Sequence, residues 1–355
     1  MAGGSIPGLT FEWSVAVSAL LAGLVCTLIT VVIERLGGLV GGVLGSVPTT
    51  IIPASMGFYF QYRSLGFPRE FEDLTSQPGL EEYQRSMVSC VPGMVLNAIY
   101  LLMWRHLPPL FRRRFPTLRL TTLLLLVFLL SILIWLALAS LLVAGLRAFL
   151  PSRAANIPPQ DPATAPLVQV ISPNMTGTMV FGFATLGLQI VVGVLASWTP
   201  PPAPKSLARV PVGVLVARGI FAGLAIGASI LIGRVSSYAG GVASVFPVIF
   251  TTSVVAIWVS SGEAVSSGAI GPLMLGSASV GLYALLSAVL VVPLGFVGAS
   301  VVAWVASVLG VSAPSFVYLR WRRRVREASE GNSGDTLVLG QGEADKLVVE
   351  EEQQV

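Results

Sequence analysis

Apolar runs of about twenty residues recur along the whole chain, separated by short polar or proline-rich stretches, a pattern that hydropathy windows read as membrane-spanning helices. The rhythm predicts about nine spans. The first covers Trp13 to Val32, and the second runs from Leu36 to Phe60 through glycine pairs, Pro48 and Pro53. A polar stretch, Gln61 to Arg85, carries Arg63, Glu70, Glu72, Asp73, Glu81 and Glu82 and is expected outside the bilayer core. The third span is Met87 to Trp104 and the fourth Leu120 to Leu146, long enough to tilt. A proline-rich connector, Pro151 to Pro166, precedes the fifth span at Thr176 to Trp198, and TPPPAPKS then forms a stiff extended linker. Spans six to nine are Val212 to Ile232, Ala239 to Val259, Gly268 to Leu290 and Leu294 to Leu309, the last two divided at Val292-Pro293. Beyond Pro314 a basic segment leads into an acidic tail too poor in apolar residues to fold alone.

One span occurs twice. IERLGGLVGGVLGSVP at Ile33 to Pro48 returns as IGRVSSYAGGVASVFP at Ile232 to Pro247. Six of the sixteen aligned positions are identical, where roughly one or two are expected by chance. Upstream, LLAGL at Leu20 to Leu24 matches IFAGL at Ile220 to Leu224, one residue out of register with the first match. Five expected spans lie between Arg35 and Arg234, so the copies enter the membrane from opposite sides. The expected fold class is therefore an all-α polytopic membrane protein, an inverted repeat of helical bundles with two Gly/Pro-interrupted helices. Residues 12–150 form the first repeat, 167–199 a linking span, 205–311 the inverted second repeat, and 312–355 a cytoplasmic basic segment and tail.

Composition agrees: hydrophobic residues make up 54% and charged residues 11%, against about a quarter charged in a soluble domain. From Ala264 to Leu319 no side chain is charged. The net charge of +4 comes from two arginine clusters. Arg105, Arg112, Arg113, Arg114 and Arg119 follow the third span, and Arg320, Arg322, Arg323, Arg324 and Arg326 follow the ninth. With six spans between them the clusters share a face, which the positive-inside rule makes cytoplasmic. The expected C-terminus is then inside and the N-terminus outside, and the arginines are an orientation signal rather than a nucleic-acid surface. Cys26 and Cys90 read as small core residues, and His106 stands alone in a basic loop. No Walker loop, dinucleotide fingerprint, metal cluster or triad spacing occurs, so the chain reads as a non-enzyme with no implied cofactor or metal.

The candidate site follows from backbone chemistry. Pro48 and Pro247 lack an N–H, and the pairs Gly41-Gly42 and Gly240-Gly241 weaken the helix and admit close neighbours. A helix broken at membrane depth is tolerated where protein or a water-lined cavity satisfies the freed groups, which makes the interface between repeats the expected substrate site. Ser46, Thr49 and Thr50 in one copy, and Ser244, Thr251 and Thr252 in the other, supply hydroxyls. Arg218, inside span six and opposite Ser18 in the alignment, is expected to bind an anionic group, to pair with a carboxylate such as Glu263, or to snorkel. Arg35 and Arg234 begin the broken spans and suit gates, while Glu34 and Glu263 are the carboxylates for proton coupling. Asn97 is expected to bond between helices. The expectation is a secondary transporter moving a small organic anion or zwitterion across the lipid bilayer by alternating access, with proton or ion coupling as an option. The alternative is a membrane scaffold or assembly factor that uses its small-residue faces to associate; a channel has no repeated filter sequence to support it.

Overall fold

The computed structural model describes residues 11–36, 47–63, 78–150, 175–198 and 212–327. Every regular element among them is helical: α1 (Phe11–Leu36), α2 (Ile51–Arg63), α3 (Pro78–Arg114), α4 (Leu120–Phe149), α5 (Thr176–Trp198), α6 (Val212–Gly233), α7 (Ser237–Ser244), α8 (Val248–Ser261) and α9 (Glu263–Ser307). A π turn at Val308–Ser312 carries α9 into a last helical stretch, 313–327. Among the described residues six stretches are long and apolar enough to cross a membrane: Gly79–Arg114, Leu120–Phe149, Thr176–Trp198, Leu215–Gly233, Ser237–Val259 and Glu263–Glu327. Glu12–Leu28 is a shorter apolar helix. Nine such helices, the expected count, are not present among the described residues. Of the expected second span only the 13-residue α2 and the bend before it are described, and the expected eighth and ninth spans lie in one stretch that is interrupted at Gly295.

The outer helices are inside-out by the standards of a soluble protein. In α4 the buried residues Leu123, Val127, Ser131, Trp135 and Ala139 recur every fourth position, one face of a helix. Leu125, Leu126, Leu129, Leu133, Leu136 and Leu141 are exposed on the others. α5 repeats this, burying Gly182, Leu186, Gln189, Gly193 and Ser197 while exposing Val180, Phe183, Leu188, Val191 and Leu195. Contiguous aliphatic surface on this scale is foreign to a monomer in water and natural against lipid, where packing alone selects small and polar residues for the inner face.

The centre is α3, which is packed against α9, α5, α7 and α4. Its first turns extend further than the expected third span, into the polar stretch Gln61 to Arg85. Arg85 is buried there, with Glu81 and Glu82 paired to its guanidinium one turn back, which neutralises the charge the helix carries inward.

The run Glu263–Glu327 does not cross straight. Gly295 has φ 64° and ψ 173°, a conformation open to glycine and costly for residues with a Cβ. Beyond it the chain doubles back: Gly310 lies against Leu282, and Leu319 packs with Leu275. Pro293, two residues earlier, withholds an N–H from the ladder, so the expected division at Val292-Pro293 falls beside the observed one. The helix then continues to 327, and the basic segment Arg320 to Arg326 is its last turns rather than a separate tail.

Contacts at the helix ends fix directions. At one end Arg105 Nη1 donates to Ala196 O (2.8 Å), Arg322 donates to Trp198 O and stacks its guanidinium on the Trp198 ring, and Arg112 pairs with Glu263 (2.8 Å). Both arginine clusters therefore meet around the last carbonyls of α5, where cations favour a helix C-terminus. At the other end Tyr238 donates to Leu150 O (2.9 Å), and Arg85 lies over the Tyr238 ring. Tyr62, at the end of α2, donates to Gly233 O (3.0 Å) there, whereas α8 ends at the arginine end, just before Glu263. The helices that follow Pro48 and Pro247 thus run in opposite directions.

α1 and α6 are also antiparallel: Val15 faces Gly227, Ala19 faces Gly223, and Gly23 faces Gly219. A Cβ at Gly23 would sit 2.8 Å from Gly219 O, and one at Gly219 would sit 2.9 Å from Gly23 O. Neither carbonyl can move without leaving its helix. Gly23→Val is expected to destabilise by about 1–3 kcal/mol, seen as an earlier thermal unfolding midpoint in detergent, while Leu188→Ala on the lipid-facing side of α5 stays within about 0.5 kcal/mol.

Candidate functional site

The break before Pro247 occurs as its chemistry requires. α7 ends at Ser244, Val245 and Phe246 leave the helix, and α8 starts at Val248. Neighbouring helices take up what the break frees. Asn97 on α3 donates through Nδ2 to Val245 O (2.6 Å), and its Oδ1 accepts from Trp135 Nε1 on α4 (2.8 Å). Trp135 also stands edge-on to Phe246, with ring centroids 5.1 Å apart. Tyr100 and Thr251 hydroxyls meet at 2.6 Å, and Thr251 reaches back to Pro247 O (2.6 Å). Asn97 thus bonds between helices, as its place in an apolar span suggested, and its acceptor is a carbonyl released by the break.

The glycine pair is spent on close approach. A Cβ at Gly240 would stand 2.6 Å from Gly233 Cα on α6, and one at Gly241 would collide with Ser86 O and Ser89 Oγ on α3. Ser244 donates to Gly241 O (2.7 Å) and meets Cys90 Sγ at 3.2 Å. Thr252 bonds to Val248 O (2.9 Å), one turn back in its own helix. The hydroxyls of Ser244, Thr251 and Thr252 are therefore engaged with protein.

The first copy is described in part. Pro48 is buried in a bend, Thr49 N–H donates to Val47 O (2.7 Å), Thr50 is half-buried, and α2 begins one residue later. Gly41, Gly42 and Ser46 lie outside the described residues. Glu34 and Arg35 are in the last turn of α1, and their side chains also lie outside what is described. Arg234 is exposed in the turn from α6 to α7, its N–H accepted by the Gln61 amide (3.0 Å). Glu263, half-exposed at the start of α9, is paired with Arg112, so it is not the partner of Arg218.

Arg218 is turned into the protein. It is 7% exposed, and Nη2 donates to Ser253 Oγ on α8 (2.6 Å). Its Nε is buried with no hydrogen-bond partner among the described residues, none of which places a carboxylate in ion-pair reach of it. Cys26 on α1 lies beside the guanidinium. Snorkelling would expose the charged head, and the observed burial is the reverse. The three elements around it are α1, α6 and α8.

Sequence reasoning missed a second buried cluster. Tyr83 on α3 bonds Ser55 on α2 (2.8 Å) and Ser287 on α9 (2.7 Å), and Gln84 donates to Ala288 O (3.0 Å). The Tyr283 hydroxyl and Ser300 are buried beside this cluster, within its electrostatic reach. These side chains come from separate elements with no common spacing, so no window along the chain could have joined them. Among the described residues no group of His, Cys, Asp and Glu is placed to hold a metal ion.

The described residues are all-helical where regular, with six helices long and apolar enough to span a membrane among them, consistent with a multi-pass membrane protein. Comparison with protein-family models, with curated proteins and with solved structures yields no match. Replacing Asn97 by Leu leaves Val245 O and Trp135 Nε1 buried without partners, so it is expected to cost about 1–3 kcal/mol. A double-mutant cycle with Trp135→Phe, followed by thermal unfolding, should return a coupling of the same sign.

Proposed function

We propose that the protein is an integral membrane secondary transporter that moves a small solute by alternating access between two inverted halves. Residues 12–150 make the first half, 205–311 the second, and α5 links them. The observation that carries this reading is directional: α1 runs antiparallel to α6, and α2, after Pro48, runs against α8, after Pro247. Two elements of similar sequence and opposite direction are what an inverted repeat requires. Nine crossings follow if 37–48 with α2 counts as one and the chain crosses once on each side of Gly295. The arginine end is then cytoplasmic by the positive-inside rule, with the N-terminus on the opposite side. Rocking of one half against the other around α1 and α6 exposes the broken segments to each side in turn, with the hydroxyls of Ser244 and Thr252 exchanging protein partners for solute and those of Ser46 and Thr50 joining them. A second reading, a scaffold that associates through small residues, is favoured by one observation: Gly240 and Gly241 are packed against α6 and α3.

Single cysteines at Ser46, Thr50, Ser244 and Thr252 in a chain lacking Cys26 and Cys90 separate the two. Transport predicts reaction with an impermeant thiol reagent from either side, with rates that shift together when a transported solute is added. Protection at all four positions from both sides would end the transport reading and leave the scaffold.

A further inference from the structure

We infer that Arg218, with Ser253 and Cys26 beside it, is a binding site for the carboxylate of a small monoanionic solute, a reading that rests on the proposed transport for its purpose but not for its chemistry. An arginine cannot shed its charge at any physiological pH, so burial does not neutralise it as it would a lysine or histidine. The charge at Arg218 is 7% exposed and faces a neutral serine. Ser253 spends its own proton on Ile249 O (2.7 Å), so it offers the guanidinium only lone pairs, and among the described residues no carboxylate compensates the cation. Nε, buried and unbonded among the described residues, is one tine of the flat fork with which arginine grips a carboxylate through two parallel bonds. A buried cation with no counter-charge among the described residues, inside an apolar bundle, is the expected mark of a solute site.

The surroundings narrow the ligand class. One cation in an apolar setting balances one negative charge, so a monocarboxylate or the carboxylate of a zwitterion fits and a phosphate dianion does not. Gly219, next along α6, and Gly23 hold α1 and α6 at backbone contact beside the guanidinium, which restricts the space to a small group. The position aligned with Arg218 in the first half is Ser18, itself buried with an unpartnered hydroxyl among the described residues. The charge is therefore supplied once per molecule, by the second half alone.

Thermal unfolding of the full chain in detergent tests this with sodium benzoate, its neutral isostere benzamide, and sodium chloride at matched ionic strength and pH. The expected result is a benzoate-specific rise of about 2 °C or more near saturation, absent with benzamide and absent in Arg218→Met. The ligand-free midpoint of Arg218→Met should equal or exceed that of the unaltered protein, because removing a buried charge that lacks a partner relieves a cost. Arg218→Lys, which keeps the charge and loses the fork, should keep a weakened response. A missing benzoate response in the unaltered protein overturns the proposal, as does an equal response in Arg218→Met. So does an Arg218→Met variant that fails to fold or unfolds several degrees early, the signature of a structural ion pair. Cysteine reactivity at Ser244 and Thr252 does not depend on Arg218: benzoate binding without two-sided reactivity removes the transport reading alone, and two-sided reactivity without benzoate binding removes this site alone.

Discussion

The backbone hydrogen-bond requirement in an apolar medium is the constraint on which the rest of this fold depends. Lipid offers no partner to a free carbonyl, so a chain that breaks a helix at membrane depth must bring the replacement from its own neighbours. The break at Pro247 is held by Asn97, which connects the Val245 carbonyl to the Trp135 indole and so joins α3 and α4 to the interrupted segment. Tyr100 and Thr251 complete the arrangement one turn further on. The central position of α3 follows from the same requirement, since it supplies both Asn97 and Tyr100 while its other faces carry α5 and α9.

Small residues do the complementary work of closing distances. Hydrophobic burial does not drive helices together within lipid, so close backbone packing and interhelical hydrogen bonds must. Gly23 with Gly219, Gly240 with Gly233, and Gly241 with Ser86 are three such approaches, and each joins α6 or α7 to a neighbour. The same glycines give the chain its reading as a machine of two halves, because a seam of backbone against backbone can slide or tilt without prying apart interlocked side chains. They equally suit a rigid scaffold, and the difference lies in motion rather than in contacts.

Much of the architecture was legible in the order of apolar and polar positions. The helical class, the positions of α4, α5 and α6, the interruption at Pro247 and the turn beside Pro293 all follow from local chemistry that a sequence displays. Less legible was where the polar groups go. Arg218 had three plausible fates on paper, and only the packing of α1, α6 and α8 separates them: its head is buried beside Ser253 and Cys26, while Glu263 belongs to Arg112. The hydroxyls of Ser55, Tyr83 and Ser287 meet only after α2, α3 and α9 are assembled, and their spacing along the chain carries no trace of that meeting. The N-terminal extension of α3 was hidden by its charges, because Arg85, Glu81 and Glu82 look like a loop until both carboxylates are seen to pair with the one buried guanidinium on a helix.

Opposed direction in the two halves underlies the proposed transport, and sidedness measures it directly. Single cysteines at Arg63, which closes α2, and at Ala264, which follows α8, can be probed with an impermeant maleimide on intact cells and again after permeabilisation. Opposed halves predict that Arg63→Cys reacts in intact cells and Ala264→Cys only once the membrane is opened. Reaction of both from the same side would contradict the inverted arrangement and, with it, the transport mechanism built on it.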